Sequence, residues 1–162
     1  MSTLSRRVLI RCPLSQASRH LAAFFKEHGN PDGDVAKLDL RVAAAVPGLP
    51  APVSLSHPVV ATLQYEAHPA DMKPRFHVQW VPLGDQPLPA FAGALTVDSD
   101  EDYGSFFLVL DGRYEPPLGL AGQAFDAVVG HRIAESTADD LLARIRDYVE
   151  AAYRAEESGK PA

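Results

Sequence analysis

The sequence has little of what metal sites and covalent cross-links require. Its 162 residues include one cysteine, Cys12, which excludes an internal disulfide and a cysteine-based zinc site. The six histidines are scattered, and no two of them stand at the i, i+4 spacing of a helical zinc site. His131 and Glu135 come closest to a metal pair, but partners in a surface ion pair are the simpler interpretation. We therefore expect no metal and, from the unpaired cysteine, a cytoplasmic protein.

Motifs of nucleotide and nucleophile chemistry are also missing. The sequence contains no glycine pattern of a dinucleotide-binding fold or a P-loop, and no G-x-S-x-G. Three aspartates alternate in DSDEDYG, Asp98 to Gly104, as at the start of a calcium loop. However, Tyr103 occupies the position of the sharp-turn glycine, and Val109 occupies that of the distal acidic ligand. We expect no cofactor, and we predict a solvated hairpin turn at DSDEDYG.

The sequence also lacks a long hydrophobic run and an excess of basic residues. Its least charged window, VAAAVPGLPAPVSLS, is shorter than the roughly 20 residues of a membrane span and is broken by prolines. We predict a loop there and no membrane insertion. Lysine and arginine total 15 against 21 acidic residues, a net charge of −6, which argues against nucleic acid as a partner. Arg6-Arg7 resembles a twin-arginine export signal, but no sustained apolar segment follows it.

What is present is the composition of a globular protein. Hydrophobic residues make up 46% of the chain and charged residues 22%, as in folded proteins generally, and the length is that of one ordinary domain. We predict a single domain over residues 1–157 and a frayed tail over 158–162. No pattern indicates an oligomeric state.

Six stretches alternate apolar and polar residues, which predicts antiparallel strands with one wet face. They are residues 7–12, 37–44, 59–66, 75–80, 91–97 and 106–114. The first includes Cys12 as a small core residue of the strand. Alternation assigns His77, Asp111 and Arg113 to the outer face of the sheet.

Two segments have a helical period instead. Apolar residues over 14–28 recur every three or four positions, with Ser15 as a candidate N-cap and Gly29 as the stop signal. A second stripe extends over about 120–157, roughly 50 Å of helix, and Gly130 marks where this helix is expected to bend or break. The predicted class is α+β, with a short N-terminal helix between strands one and two and a long C-terminal helix.

The C-terminal third resembles a known superfamily. In FFLVLDGRYEPPLGLAGQAFDAVVGHRIAESTADDLLARI, a last strand ends in G-x-Y-x-P-P, followed by G-x-x-G, an Asp, a helix glycine and a Leu-Leu pair. This is similar to uncharacterised, bacterial-type members of the START-like, polyketide cyclase-type (SRPBCC) helix-grip superfamily. The resemblance covers residues 80–153 by motif and the whole chain by element order. It implies a curved antiparallel sheet wrapped around the C-terminal helix, enclosing an apolar cavity that different members use for lipids, quinones or polyketides.

The resemblance and the inward faces together give a candidate binding site. The expected partner is a small hydrophobic molecule, bound by apolar burial and oriented by one or two hydroxyls. The predicted ligand-binding residues are Tyr65, Phe76, Trp80, Phe91, Leu108, Leu110, Tyr114 and Phe125. No catalytic residue is assigned.

The joint between the last strand and the long helix carries Pro116-Pro117, Gly119 and Gly122. Proline ends strand pairing and glycine allows a tight turn, so we predict a hinge here rather than an active-site loop. Tyr114 lies on the inward face just before the joint. Core packing with a satisfied hydroxyl is the simpler interpretation, and contact of the hydroxyl with a ligand is the alternative.

Two other functions stay open. A cyclase-, dehydratase- or hydrolase-type enzyme needs polar groups inside the cavity, and the candidates are few: Tyr65, Tyr114, His57 and Asp126. Some members of the superfamily are chaperone-binding modules, so a co-chaperone-like interaction role is the third possibility. The fold by itself does not decide among the three.

Overall fold

Six antiparallel strands form one sheet, and two helices lie against it. The computed structural model describes the backbone of residues 2–28, 35–44, 53–67, 74–82, 90–115 and 123–160, and the side chains of residues 3–27, 74–80, 90–114, 131–132 and 134–160. The strands are β1 (Ser2–Ile10), β2 (Val35–Ala44), β3 (Val53–Ala67), β4 (Pro74–Pro82), β5 (Ala90–Ser99) and β6 (Phe106–Glu115). The helices are α1 (Ala17–His28), preceded by a short 3₁₀ turn (Leu14–Gln16), and α2 (Gln123–Ser158).

The sheet is curved around α2. Its strand order is β1-β6-β5-β4-β3-β2, so β1 and β2 form the two edges. The backbone of α2 makes its most extensive sheet contacts with these two edge strands, and α1 also contacts both α2 and β2. A flat sheet of six strands could not bring both edges to one helix. This arrangement confirms the predicted α+β class and the helix-grip architecture.

Strand alternation assigns the two faces of the sheet correctly. The inward positions of β4, β5 and β6 are buried apart from two glycines, and His77, Asp111 and Arg113 are exposed on the outer face as predicted. The bounds of β1 differ from the prediction. The N–H of Cys12 donates to the carbonyl of Ile10 at 3.0 Å, so the chain turns out of the sheet there. Cys12 is buried but lies beyond the strand rather than in it.

The loop predicted for VAAAVPGLPAPVSLS extends too far at both ends of that window, although the alternation over 37–44 correctly predicts a strand up to Ala44. Residues 42–44 are the end of β2, and residues 53–56 are the start of β3. The two strands pair in antiparallel register from Ala44 opposite Val53 onward. A low charge and several prolines suggested a loop, but pairing between neighbouring strands decides the conformation of these residues. Residues 45–52 lie outside the described part.

Helix α2 is continuous over 36 residues, about 54 Å at the usual rise per residue. The helix therefore does not break at Gly130. An isolated surface helix of this length would need support, and here the sheet supplies it. Its buried face is wider than the predicted stripe and consists of Ala134, Thr137, Ala138, Leu141, Leu142, Ile145 and Val149.

Helix α1 confirms the N-terminal helical prediction, but not its cap. Ser15 lies inside the 3₁₀ turn, whose N-cap position is Pro13, and no side chain caps that turn. Phe24 of α1 meets Tyr148 of α2 edge to face, with ring centroids 5.4 Å apart. Arg19 and Glu156 form a two-bond ion pair at 2.7 and 3.0 Å. These contacts join α1 to the C-terminal half of α2.

Neither described helix combines the length and the apolar character that crossing a membrane requires. The predicted domain boundary at residue 157 and the frayed tail stay predictions.

Candidate functional site

Three of the predicted ligand-binding residues form a row across the inner face of the sheet. Trp80 of β4 stands opposite Phe91 of β5, and Phe91 stands opposite Tyr114 of β6. All three are buried. The rings of Trp80 and Phe91 stack with their centroids 4.2 Å apart and their planes 19° from parallel. We call these three residues the aromatic row.

A pair of glycines lies beside the aromatic row. Gly93 and Gly112 face each other in the register of β5 and β6, on the inward side by alternation. A Cβ built on either glycine would lie within 2.7 Å of the Cζ atom of Phe91. The Phe91 ring therefore covers two backbone positions that carry no side chain, an arrangement in which an aromatic ring shields glycines in a sheet.

The Tyr114 end of the row is polar. The hydroxyl of Tyr114 lies 2.8 Å from Nδ1 of His131 on α2, and Nε2 of the same ring lies 3.0 Å from Oε1 of Glu135. Tyr114 is 3% exposed, whereas the His131 side chain is 45% exposed. The hydrogen bond of Tyr114 with His131 and the close contact of His131 with Glu135 thus connect a buried hydroxyl with the solvent-facing side of the helix.

Arg6 of β1 completes this polar group. It stands opposite Leu110 in the register, so alternation places it on the inward face of an edge strand. Its guanidinium donates to both carboxylate oxygens of Asp139, at 2.8 and 2.7 Å, and lies 3.6 Å from Glu135. The hydrogen bond to Asp139 raises the pKa of Arg6. Bidentate pairing of this kind fixes geometry as well as charge, and it ties β1 to α2.

Of the other predicted site residues, Phe76, Leu108 and Leu110 have described side chains, and all three are buried. Phe76 contacts Phe25 of α1, with ring centroids 5.2 Å apart, and Leu108 and Leu110 are fully buried in the same hydrophobic cluster. The same cluster also contains Trp80, Phe91 and Tyr114. Tyr65 stands opposite Phe76 in the register.

Several predictions fall on residues whose side chains lie outside the described part. Phe125 and Asp126 belong to the first turn of α2, and His57 and Tyr65 belong to β3. The predicted hinge, residues 116–122, is not described either.

A second concave surface lies on the outer face of the sheet. This depression has a volume of about 620 Å³ and is widely open. Its floor includes the small residues Ala92 and Ala94 of β5, and Arg75, His77, Gln79 and Asp111 lie around it. An open, charged depression suits a polar molecule, whereas apolar ligands favour enclosed apolar sites. The inner face is therefore the better candidate for a hydrophobic ligand.

The DSDEDYG segment is a hairpin turn between β5 and β6, as predicted. Asp100 accepts hydrogen bonds from the backbone N–H of Glu101 at 2.8 Å and from the hydroxyl of Ser105 at 2.9 Å. Asp102 accepts from the N–H of Gly104 at 3.0 Å. These carboxylates stabilise their own turn. Among the described side chains, no group of three or more His, Cys, Asp and Glu is placed to hold a metal ion.

Sequence reasoning identified part of this site. It paired His131 with Glu135, which the structure confirms, but it did not connect the pair with Tyr114. It considered Arg6 only as part of Arg6-Arg7, the pair that resembles a twin-arginine export signal. The alternation through Val8 and Ile10 was a usable signal, because its extension toward the N-terminus puts Arg6 on the inner face.

Comparison with known proteins identifies the fold. No family model matches the sequence, and no curated protein is significantly similar to it. Among solved structures, a conserved protein from Geobacillus kaustophilus matches with a TM-score of 0.56 at 11% identity, covering 94% of this chain and 97% of that chain. A protein from Thermus thermophilus matches with a TM-score of 0.53 at 15% identity, covering 93% and 99%. The Zhui aromatase/cyclase from a Streptomyces species matches with a TM-score of 0.53 at 14% identity, covering 99% of both chains.

These similarities, together with the curved sheet that wraps around α2, define the class of the fold. The chain has the START-like, polyketide cyclase-type helix-grip fold. Identities this low show the fold alone, and they transfer no activity and no ligand from the matched proteins.

Proposed function

We propose that this protein binds a small hydrophobic molecule between the inner face of its sheet and α2. The aromatic row is the observation that carries the proposal. Trp80 and Phe91 offer a stacked apolar surface, and Tyr114 places a hydroxyl at the end of it. Binding sites for small molecules are mostly apolar with a few placed polar groups, and the row has this composition.

Helix α2 covers the inner face of the sheet, on which the aromatic row lies. The backbone of α2 approaches the edge strands most extensively, so the side chains of the central strands fill the space between helix and sheet. Helix α1 contributes Phe24 and Phe25 to the core. Trp80, Phe91 and Tyr114 lie on strands whose inward faces oppose α2.

The kind of partner and the cellular location that we propose follow from the net charge and from the single cysteine. A net charge of −6 favours a neutral small molecule over nucleic acid. Burial raises the pKa of the Cys12 thiol to about 11, so this cysteine stays a protonated core residue and calls for no oxidising compartment. We propose a cytoplasmic location because the single cysteine of the sequence cannot form an internal disulfide.

Trp80 provides the test, because it is the single tryptophan of the chain. Titration with a panel of aromatic and fatty molecules is expected to change its emission saturably, at about one ligand per chain. Native mass spectrometry of the freshly purified protein should show the retained compound. A folded protein whose Trp80 emission responds to no member of a broad panel would contradict the proposal.

A control moves the reporter to the opposite face of the sheet. In the double variant Trp80→Phe, Ala92→Trp, the single tryptophan stands at an exposed outer position in the outer depression. Its emission is expected to stay constant through the same titration. A saturable response of this variant instead would locate binding in the outer depression.

A second candidate function is catalysis, as the similarity in fold to an aromatase/cyclase suggests. One observation favours it: at the end of the aromatic row, Tyr114 is hydrogen-bonded to His131, which contacts the carboxylate of Glu135 at 3.0 Å, an arrangement of acid/base groups. Such an arrangement could remove a proton next to a ketone. A β-diketone incubated with the protein in D₂O would then exchange its α-hydrogens faster than in buffer, and His131→Gln would abolish the excess. Exchange at the buffer rate would exclude this candidate for that substrate class.

A further inference from the structure

The polar end of the aromatic row constrains what Tyr114 can offer to a ligand. Its hydroxyl lies 2.8 Å from Nδ1 of His131. On the other side of the imidazole, Nε2 lies 3.0 Å from Oε1 of Glu135. That carboxylate also has the guanidinium of Arg6 at 3.6 Å. The position of each proton in this chain follows from the chemistry of its two ends.

An ionised carboxylate can only accept hydrogen bonds. Since Nε2 of His131 lies 3.0 Å from such an oxygen, a bare nitrogen lone pair there would face negative charge, and the arrangement favours a hydrogen on Nε2. In a neutral imidazole the second nitrogen is then an acceptor, so Nδ1 accepts the proton of the Tyr114 hydroxyl. The phenolic oxygen keeps lone pairs, but its hydrogen is committed to His131. While the His131 imidazole is neutral, Tyr114 can therefore accept a hydrogen bond from a ligand but cannot donate one to it.

Among the described side chains, Arg6 is the other charged group on this part of the inner face, and it does not change the role of Tyr114 as an acceptor. Arg6 donates to both carboxylate oxygens of Asp139 and contacts Glu135, so its donors are directed toward α2. The body of Tyr114 is buried next to Phe91. The Tyr114 oxygen is thus an acceptor beside an apolar, aromatic surface.

We infer that Tyr114, oriented by His131 and Glu135, selects apolar ligands that carry a hydrogen-bond donor, such as an alcohol, a phenol or an N–H group, over the same ligands with the donor blocked. This inference rests on the proposed function, because it assumes that the aromatic row contacts the ligand. It adds the chemical class of that ligand.

The test compares two molecules that differ in one hydrogen-bond donor. Isothermal titration calorimetry with 1-naphthol and with its methyl ether, 1-methoxynaphthalene, measures both affinities at neutral pH. The naphthol is expected to bind about 2- to 10-fold more tightly, the factor contributed by one neutral hydrogen bond. Equal affinities, or tighter binding of the ether, would overturn the inference and leave the proposed function intact. Binding of neither molecule would count against both.

Three variants separate the hydrogen bond from general packing. Tyr114→Phe keeps the ring and removes the acceptor, so the naphthol is expected to lose its advantage while the ether binds about as well as before. His131→Leu frees the Tyr114 proton for a ligand, so the ether is expected to gain affinity and the ratio to fall. Arg132→Leu, at the neighbouring exposed position of α2, serves as the control and should keep the wild-type ratio.

A merely structural role predicts a different pattern. If Tyr114 and His131 only supported packing, both variants would weaken the two ligands by the same factor and leave the ratio unchanged. That result would refute the inference even if every variant remained folded and bound both molecules.

Discussion

Substitution of the paired glycines tests how closely β5 and β6 pack beneath Phe91. In Gly112→Ala, the new methyl group would lie 2.5 Å from Cζ of Phe91 and 2.7 Å from the Cα atom of Gly93, and it would overlap the carbonyl oxygen of Ala92. Gly93→Ala would meet the carbonyl oxygen of Asp111 and the Cα atom of Gly112 in the same way. Phe91 can rotate away, but the other atoms belong to the backbone of two paired strands.

Backbone atoms in the middle of a sheet cannot yield without loss of ladder hydrogen bonds. Overpacking of a core usually costs 1–3 kcal/mol, and we expect about 3 kcal/mol for either substitution because the overlap is with backbone. For a protein of this size, that corresponds to a fall of about 6–12 °C in melting temperature. Displacement of Phe91 should also disturb its stacking on Trp80 and shift the tryptophan emission.

Thermal unfolding followed by circular dichroism measures this effect. Gly159→Ala is the matched control, since its new methyl group would find its nearest atom, the carbonyl oxygen of Ala155, at an ordinary 3.5 Å. We expect this control to melt near the wild-type temperature. A Gly112→Ala protein that melts with the control, with unchanged Trp80 emission, would refute the reasoning about close packing.

Two further predictions concern two buried titratable groups, Cys12 and His20. Because burial raises the pKa of Cys12 to about 11, the native thiol is expected not to react with a thiol reagent near pH 8 and to react fully in denaturant; rapid reaction of the folded protein would contradict this. Burial, and then the charge of Arg19, lower the pKa of His20, so the unfolded chain takes up a proton more readily than the folded protein. The resulting stability is complete above the ordinary histidine pKa of about 6.5 and declines as the pH falls below it. The melting temperature should therefore fall with acidification, and His20→Asn should reduce that dependence; identical slopes in the two proteins would show that another group is responsible.

The sequence was sufficient to predict which side of each strand faces inward. Alternation depends only on neighbouring positions along one strand, and it placed Trp80, Phe91 and Tyr114 together on the inner side and His77 on the outer side. Strand ends were less predictable, because they depend on pairing partners. Val53 begins β3, ahead of the predicted start at residue 59, since Ala44 of β2 lies opposite it, and no local property of a proline-flanked segment reveals that partner.

The contacts among Tyr114, His131 and Glu135 could be predicted only in part, for a geometric reason. His131 and Glu135 are one helical turn apart, so their contact is a local property of α2. The contact between His131 and Tyr114 depends on the rotation of α2 about its axis and on its position along the sheet. Those two quantities are set by contacts far apart in sequence, among them the ion pair of Arg6 with Asp139 across 133 residues.

This ion pair also connects the architecture of the fold with the proposed selectivity. Arg6 lies on an edge strand, and the curvature of the sheet brings that edge to α2. By binding Asp139 with two hydrogen bonds and contacting Glu135, it fixes the helix turn that carries His131. Glu135 then fixes which nitrogen of His131 bears the proton, and His131 fixes the orientation of the Tyr114 hydroxyl. The chemistry presented beside Phe91 and Trp80 therefore depends on where α2 lies against the sheet, because that position brings His131 to Tyr114.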